Sequence, residues 1–268
     1  METFKYGIVL SGGGARGFAH LGVLKALEEK GIKPSIISGV SAGAIIGAFI
    51  AAGKSIEETF EIMKAHKFSD LTSFQIPKTG VLSFQKLESL LQSELGKVRI
   101  EDLPIPLYVA ATDVLNGHVE YFNRGDLSKI VMASASIPVL FSPVKIDESY
   151  YVDGGVFNNT PMEPIAHLCD HVIISSISPL QQIQYLGGIM DIAGRTFQLA
   201  VNAANEAKKS RADLYIEPMK LREYSLFDTS KADDMFQLGY DYTMSLDFHL
   251  EKSLFQKIKN NLAKLFTK

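Results

Sequence analysis

The stretch Gly39-Val40-Ser41-Ala42-Gly43 decides how this 268-residue chain is interpreted. It lies between a short apolar run, Ser35 to Gly39, and a long run of small residues, Ala42 to Gly53. The pattern Gly-x-Ser-x-Gly in this setting is typical of a nucleophile elbow, where a strand ends, the chain turns sharply and a helix begins. The glycines two residues either side of the serine avoid a Cβ clash across the turn. The pattern predicts that Ser41 is a nucleophile; the alternative is a plain Gly/Ser turn.

A second glycine-rich loop precedes the elbow and allows two interpretations. Tyr6 to Leu10 is β-prone, and apolar residues recur at helical spacing from Phe18 to Leu27. Between them, Gly12, Gly14 and Gly17 fit the Gly-x-Gly-x-x-Gly fingerprint of a nucleotide-binding oxidoreductase. That fold needs an acidic residue at the end of the second strand, where this chain has Val40-Ser41. The loop is therefore better explained as a row of backbone N–H groups that form an oxyanion hole.

Composition excludes several classes of protein. The chain is 46% hydrophobic, which suits one large domain, and its net charge of −3 gives no basic field for nucleic acid. The single cysteine, Cys169, excludes an internal disulfide framework and a multi-cysteine zinc site. We see no signal-peptide pattern, and the run from Ala42 to Gly53 is too short to span a bilayer. We expect a cytoplasmic protein that could be peripheral at the inner membrane face.

A serine nucleophile needs a base within hydrogen-bond reach. None of the six histidines lies in a glycine-flanked loop late in the chain, as an α/β-hydrolase would require, so a carboxylate is the favoured base. Asp113 and Asp153 both follow predicted strands, Leu107 to Thr112 and Tyr150 to Val152. Asp153 is favoured over Asp113, because two following glycines let a substrate and a backbone turn approach closely.

Further elements are predicted from periodicity and capping residues. Helices are expected from Ser55, which opens a capping box, to His66, and over 84–95, 188–210 and 233–245. Val119 to Phe122 is the expected hairpin partner of the strand from Leu107. Residues 67–82 are expected to form a surface loop that could cover the site.

Together these motifs resemble the bacterial patatin-like phospholipases. The resemblance covers Tyr6 to His171 and continues more weakly to Leu246. The segments that carry it are Gly12-Gly13-Gly14-Ala15-Arg16-Gly17, Gly39-Val40-Ser41-Ala42-Gly43, Asp102-Leu103-Pro104-Ile105-Pro106-Leu107, Ala111-Thr112-Asp113, Ala133-Ser134-Ala135-Ser136-Ile137-Pro138, Asp153-Gly154-Gly155 and Asn158-Asn159-Thr160-Pro161.

The resemblance implies a three-layer α/β/α fold with a mostly parallel central sheet. It also implies hydrolysis of fatty-acyl esters of lipids, of phospholipase A, lysophospholipase or carboxylesterase type, without a metal or cofactor. Ser41 would be the nucleophile and Asp153 the general base. The implied oxyanion hole consists of the N–H groups of Gly12, Gly13 and Gly14, assisted by Arg16. The remaining motif positions are Gly17, Gly39, Gly43, Gly154 and Gly155.

Two questions stay open at this stage. A catalytically silent lipid-binding or regulatory module that had kept the fold would have the same motifs. The segment Ile137-Pro138-Val139 departs from the family, which usually has a glycine after the proline, so the resemblance does not predict the shape of the acyl pocket.

The C-terminal segment is expected to be separate from the main domain, with units at 1–245 and 246–268. Six apolar residues of the second unit fall within an arc of about 120° on a helix. They are Leu254, Phe255, Ile258, Leu262, Leu265 and Phe266. Five lysines lie outside the arc, and the segment carries a net charge of +3. Such a helix would contact an anionic membrane surface, dock on its own domain or pair in a homodimer.

Overall fold

The computed structural model of the chain describes residues 3–66, 73–74, 82–83, 85–180, 182–183, 185, 187–203, 206–248 and 250. Its strands are β1 (Phe4–Leu10), β2 (Ile36–Val40), β3 (Ser73–Phe74), β4 (Leu82–Ser83), β5 (Leu107–Asp113), β6 (His118–Phe122), β7 (Val144–Ile146), β8 (Ser149–Asp153), β9 (Cys169–Ser175) and β10 (Leu214–Ile216). Its helices are α1 (Phe18–Glu29), α2 (Ala42–Ala51), α3 (Ile56–Ala65), α4 (Gln85–Leu95), α5 (Leu127–Ala135), α6 (Ile189–Ala203), α7 (Glu206–Lys209) and α8 (Ala232–Ser245). Short 3₁₀ turns cover Gly14–Gly17, Ile100–Asp102, Gly154–Val156 and Met219–Glu223.

The main sheet is mixed and mostly parallel, as predicted. Among the described residues its strands follow the order β10-β9-β1-β2-β5-β8-β7, and β6 also pairs with β5. The five strands from β10 to β5 are parallel, while β6 and β8 run antiparallel to β5. The carboxyl ends of the parallel strands therefore meet at one edge of the sheet, which is where open α/β sheets bind ligands.

Both faces of the sheet are buried, which explains why its central strands are continuous apolar runs. On β1, Ile8 and Leu10 belong to the larger core cluster, whereas Val9 belongs to a smaller cluster. The larger cluster contains residues of the helices α1, α2 and α3, and the smaller one contains Met162 and Ile165. The sheet is thus flanked by packed chain on both sides.

Helix α2 is buried along nearly its whole length, which fits its composition of alanine, glycine, isoleucine and phenylalanine. A helix that is apolar all round belongs in a core.

Glycines also let helices α1 and α8 cross closely. A Cβ at Gly22 would lie 2.0 Å from the carbonyl oxygen of Phe236, and one at Gly239 would lie 2.2 Å from that of Ala19.

Most predicted elements are confirmed, with shifted ends. The capping box at Ser55 is present, since Glu58 N–H donates to Ser55 Oγ and Ser55 N–H donates to Glu58 Oε2. The helix predicted over 188–210 is described as α6 and α7. The predicted loop 67–82 is described only at Ser73–Phe74 and Leu82, which take part in the small β3–β4 sheet.

The predicted C-terminal amphipathic helix lies outside the described residues. Before it, Leu246, Phe248 and Leu250 are partly buried against the larger core cluster. None of the helices in the described ranges has the length and apolar character needed to cross a membrane.

Candidate active site

Ser41 occupies a sharp turn between β2 and α2, as the elbow motif predicts. Its φ of 53° and ψ of −123° lie in a region that side-chain-bearing residues rarely adopt. Holding a serine there costs about 1–3 kcal/mol, which the surrounding packing must supply. The Ser41 carbonyl accepts hydrogen bonds from the N–H groups of Ala44 and Ile45, so the turn leads directly into the first helical turn.

The glycines beside Ser41 are required by close backbone contacts. A Cβ at Gly39 would lie 2.5 Å from the carbonyl oxygen of Gly43. A Cβ at Gly43 would lie 2.1 Å from the carbonyl oxygen of Leu10. Neither contact can be relieved by rotating a side chain, so the elbow depends on glycine at both positions.

Ser134 fixes the elbow from the neighbouring helix α5. The N–H of Ser41 donates to Ser134 Oγ at 2.9 Å, and that hydroxyl donates to the carbonyl of Ala110 at 2.6 Å. Ser134 is fully buried. This residue lies in the resembling segment 133–138, but no role was predicted for it, because its partners are far away along the chain.

The sheet register brings Asp153 to Ser41. Val40 pairs with Ala110 in the parallel β2–β5 ladder, and Ala111 pairs with Asp153 in the antiparallel β5–β8 ladder. The residue after Val40 and the last residue of β8 are therefore placed on either side of β5. A Cβ at Gly154 would lie 2.3 Å from the Ala110 carbonyl oxygen, so glycine is needed for this approach.

The Asp153 carboxyl group is completely buried. Its Oδ1 accepts from Gly155 N–H at 2.8 Å, while Oδ2 finds no hydrogen-bond partner within the described part of the chain. Burial raises the pKa of Asp153 to about 7, and the hydrogen bond from Gly155 N–H and the nearby Ser41 hydroxyl limit the rise. A carboxyl with a pKa near neutrality and a free oxygen beside a serine is suited to accept that serine's proton.

Asp113, the alternative base, has a structural role. Its carboxylate accepts hydrogen bonds from Ser149 Oγ at 2.6 Å, from the N–H groups of Leu115 and Asn116, and from the Asn116 amide. These bonds, with that of Ser149 the largest, hold the pKa of Asp113 well below its usual range. A carboxylate satisfied in this way is a poor proton acceptor and serves to shape its turn.

His20, which follows the glycine loop in the sequence, also has a structural role. His20 is fully buried between two strand ends, with Nε2 2.8 Å from the carbonyl of Ser11 and Nδ1 2.8 Å from Ser175 Oγ. A carbonyl only accepts, so Nε2 carries the proton and Nδ1 accepts from the serine. Burial lowers the pKa of His20 to about 4, which keeps the ring neutral. A different histidine, His66, lines the cleft at Ser41.

The glycine loop lies against Ser41, but one of its three expected donors is engaged. Gly12 N–H donates to Asn159 Oδ1 at 3.0 Å, and its part in the oxyanion hole stays a prediction. Gly13 and Gly14 remain as candidate donors. Gly14 has a φ of 58°, and a Cβ there would lie 2.3 Å from the Leu226 carbonyl oxygen. Asn159 thus ties the glycine loop to the turn that follows Asp153.

Arg16, which was predicted to assist the oxyanion hole, is held by backbone carbonyl groups. Its Nε and Nη2 donate to the carbonyl of Tyr224 at 2.9 and 2.8 Å, and Nη2 lies 3.4 Å from the carbonyl of Arg222. The side chain therefore connects the glycine loop to the 222–224 turn. Gly17 completes the loop, because a Cβ there would lie 3.3 Å from the Ala42 Cβ at the start of α2.

Two clefts meet at Ser41. The apolar cleft, of about 710 Å³ including its open mouth, extends from Ser41 between α1, α2 and α5, and residues such as Phe18, Ile45, Ile46, Leu87, Ala135 and Ile137 line it. A smaller cleft is lined by Gly12, Gly13, Gly14, Ser41 and Asn159. Ile137 lines both. An ester could place its acyl chain in the first cleft and its carbonyl oxygen toward the second.

The backbone conformation at Val139 explains why the family usually has a glycine at this position. Val139 has a φ of 71°, which is unfavourable for a β-branched residue and favours the glycine usual in the family. Its side chain is 61% exposed and does not line the apolar cleft. The cleft is instead shaped by Ile137, two residues earlier.

A buried polar cluster supports the turn that holds Asn159. Lys208 Nζ donates to Asn158 Oδ1 and to the carbonyl of Thr160 at 2.9 Å, and pairs with Glu163 at 3.1 Å. Burial lowers the pKa of Lys208, and the ion pair with Glu163 opposes that shift. Asn158 Nδ2 donates to Glu163 Oε2 at 2.7 Å and to the Tyr121 hydroxyl. Nothing in the sequence around Lys208 signalled this role.

The profile of the patatin-like phospholipases matches residues 8–166. The chain belongs to the patatin-like phospholipase family. An uncharacterized NTE family protein of Mycobacterium tuberculosis is 37% identical over 161 residues, which are 59% of this chain and 45% of that protein. The lysophospholipase NTE1 of Saccharomyces cerevisiae is 28% identical over 269 residues, covering 88% of this chain and 16% of the yeast protein. This patatin-like chain therefore spans about half the length of the mycobacterial relative.

The fold of this patatin-like protein is shared with a solved structure. The crystal structure of VipD from Legionella pneumophila superposes with a TM-score of 0.53 at 16% identity, over 90% of this chain and 66% of VipD. Family membership decides against the nucleotide-binding alternative for the Gly12–Gly17 loop.

Proposed function

We propose that this protein is a serine acyl hydrolase of phospholipase A, lysophospholipase or carboxylesterase type. It would cleave fatty-acyl esters of lipids through a dyad of Ser41 and Asp153. The observation that carries the proposal is the buried Asp153 carboxyl group, which has a raised pKa and lies beside a serine on a strained elbow. Its Oδ2 has no hydrogen-bond partner in the part of the chain that the structure describes. The apolar cleft at Ser41 supports a fatty-acyl substrate.

The reaction would proceed in two halves. Asp153 accepts the proton of Ser41 Oγ as that oxygen attacks the ester carbonyl carbon, and the N–H groups of Gly13 and Gly14 stabilise the oxyanion. Collapse breaks the ester bond, and Asp153 returns the proton to the departing alcohol. Water then loses a proton to Asp153 and attacks the acyl carbon. The bond between that carbon and Ser41 Oγ breaks, Asp153 returns the proton to Oγ, and the fatty acid leaves.

The test is labelling by a fluorophosphonate probe together with hydrolysis of a p-nitrophenyl ester. Ser41→Ala should abolish labelling and turnover. Asp153→Asn should lower kcat/KM by roughly 10²–10⁴, the usual contribution of a general base. Circular dichroism would show that both variants remain folded.

Two matched variants separate the dyad from its alternatives. Asp113→Asn changes the other candidate carboxylate and should retain turnover. His66→Asn changes the histidine that lines the cleft; a loss as large as that of Ser41→Ala would indicate a triad and contradict the dyad. A folded wild-type protein that binds lipid but is not labelled would be the catalytically silent module instead.

A further inference from the structure

An exposed apolar patch borders the candidate active site on the β5 side. Val114 follows β5, Val139 lies between α5 and β7, and Phe157 follows the 3₁₀ turn after β8. Each of these side chains is at least half exposed, and together they line a groove of about 790 Å³ including its open mouth. Val139 comes two residues after Ile137, which lines both clefts at Ser41. The patch therefore begins where those clefts end.

A second exposed patch lies on the α6 side. Ile183, Tyr185 and Phe227 are exposed and line another cleft, and Tyr185 is 83% exposed. Phe227 also lines the apolar cleft at Ser41, so this patch reaches the mouth of the site as well. The two patches together are named here the apolar rim.

The connections around the site carry no charged side chains. Four of them contain no Asp, Glu, Lys or Arg, although 21% of the chain is charged. They are residues 114–117, 136–143, 154–162 and 176–188. At the opposite edge of the sheet, the connections before β2, β5 and β10 each contain at least two charged residues. The lack of charge is thus a property of the edge that holds Ser41.

Charged side chains further along the rim are of both signs. Arg222, Glu223 and Asp228 are all exposed near the α6-side patch. Such a mixture gives no preference for an anionic or a cationic partner. The partner that fits the rim is therefore apolar or carries no net charge.

Val139 indicates that the rim has a partner. Its φ of 71° is unfavourable for a β-branched residue, and glycine would relieve it. Its side chain is exposed, so it contributes little to the core. A strained position that keeps an exposed apolar side chain is explained when that side chain is covered by something else.

We propose that the apolar rim contacts an uncharged or zwitterionic lipid surface while an ester passes from that surface to Ser41. The proposal rests on the acyl-hydrolase function proposed above. A second copy of the chain seated on the rim would cover the mouth of the apolar cleft, whereas a lipid surface delivers substrate to it. Burial of the rim in lipid is favourable, and the Asn, Gln and Ser side chains of the connections can stay at head-group level. Few side chains take part, so the contact accompanies catalysis and does not by itself anchor the protein.

The first test follows the rim by fluorescence in the inactive Ser41→Ala protein. The chain contains no tryptophan, so one introduced tryptophan reports on its own surroundings. With lysophosphatidylcholine above its aggregation concentration, the emission of Phe157→Trp and of Tyr185→Trp should shift to shorter wavelength, independently of salt. His167→Trp is the control and should not shift, because His167 is exposed before β9 at the opposite edge.

Three results would overturn the proposal. An equal shift in His167→Trp would show contact without a preferred face. A shift that is complete below the aggregation concentration would show that single lipid molecules bind in the clefts. A shift that follows protein concentration without lipid would show that a second copy covers the rim. Since Ser41→Ala needs no turnover, these outcomes do not depend on the proposed activity.

The second test measures hydrolysis by the wild-type enzyme and rim variants. In Val139→Gly and Tyr185→Ser, kcat/KM for micellar lysophosphatidylcholine should fall about tenfold each, while that for dissolved p-nitrophenyl butyrate stays unchanged. Val139→Gly relieves the backbone, so it should unfold at no lower temperature than wild type, which excludes misfolding as the cause. Met244→Ser is the matched control, because Met244 is an exposed apolar residue of α8 that lines none of these clefts. Unchanged micellar hydrolysis in both rim variants, or an equal loss in Met244→Ser, would contradict the proposal.

Discussion

Burial raises the pKa of Asp153 to about 7 from its ordinary value of 3.8, so this carboxyl group titrates near neutrality. Between those two pH values the native protein holds a proton that the unfolded chain has lost. The free energy of unfolding therefore decreases as the pH rises from about 4 to about 7, and the loss persists above that range. Activity should move the opposite way, since the base must be ionised, and kcat/KM should rise with a midpoint near pH 7.

Asp153→Asn should accordingly be much less active yet more stable than the wild-type protein at pH 8. The expected gain in the free energy of unfolding is on the order of a few kcal/mol, and it should disappear near pH 4. The asparagine oxygen can still accept from the N–H of Gly155. Urea unfolding at the two pH values measures the gain.

Asp113→Asn is a control in which the free energy of unfolding should change in the opposite direction. Hydrogen bonds from Ser149 and Asn116 lower the pKa of Asp113, so its ionised form stabilises the fold above about pH 4, and that stabilisation is lost as the pH falls further. This variant should be less stable than wild type at pH 8. Equal stability of Asp153→Asn and wild type at pH 8 would show that Asp153 titrates normally.

At the scale of elements, the short helix α7 supports the active site from outside it. Lys208 holds Asn158 and Thr160, and the residue between them, Asn159, binds Gly12 of the glycine loop. Lys208→Met would leave these buried acceptors without their donor. We expect a loss of about 1–3 kcal/mol in the free energy of unfolding. We also expect a fall in kcat of roughly tenfold or more, because the glycine loop that carries the proposed oxyanion donors should shift.

Lys209→Met provides the neighbouring control on the same helix. Lys209 is partly exposed and pairs with Glu217 at 3.3 Å, away from the 158–160 turn. Its replacement should cost less than about 1 kcal/mol. Thermal unfolding and esterase assays measure the stability and kcat of both variants. Equal effects on kcat would show that Lys208 does not position the candidate active site.

At the scale of the whole molecule, the segment from residue 251 onward is proposed to bind anionic membranes. Its pattern of apolar residues and lysines is the basis, and docking on the domain or pairing of two copies remain as outcomes. Leu246, Phe248 and Leu250 pack against the core, so a shortened chain should end after Leu250.

Vesicle flotation would compare the full chain with one ending at Leu250. Only the full chain should float, and only with anionic vesicles, with binding that weakens at high salt. Retained esterase activity would show that the shortened chain is folded. Equal flotation of both chains contradicts the proposal, and a halved molecular mass in solution on shortening would indicate a dimer.

The features predictable from sequence are those set by neighbours along the chain. The elbow depends on Gly39 and Gly43, and the buried strands appear as apolar runs, so both were predicted. Asp153 was favoured because glycines follow a strand. These signals lie within a few residues of the group they concern.

The features that sequence reasoning missed depend on contacts between distant segments. The bond from Ser41 to Ser134 spans 93 residues, and that from Gly12 to Asn159 spans 147. Arg16 was predicted to serve the oxyanion hole, but carbonyl oxygens more than 200 residues later hold its guanidinium. A local pattern identifies the residue type and does not choose among distant partners.

β8 pairs antiparallel with β5 but is synthesised after it, and this order has a consequence for biosynthesis. Ser41 leaves the ribosome roughly 110 residues before Asp153, its proposed base, and β1 is made still longer before β9, its partner in the sheet. At the usual pace of translation, the elbow exists for several seconds or more without a proton acceptor. A ribosome-bound chain that ends before β8 should therefore not react with a fluorophosphonate. Under the proposed function, the order of synthesis would keep lipids from being hydrolysed before β8 has been made.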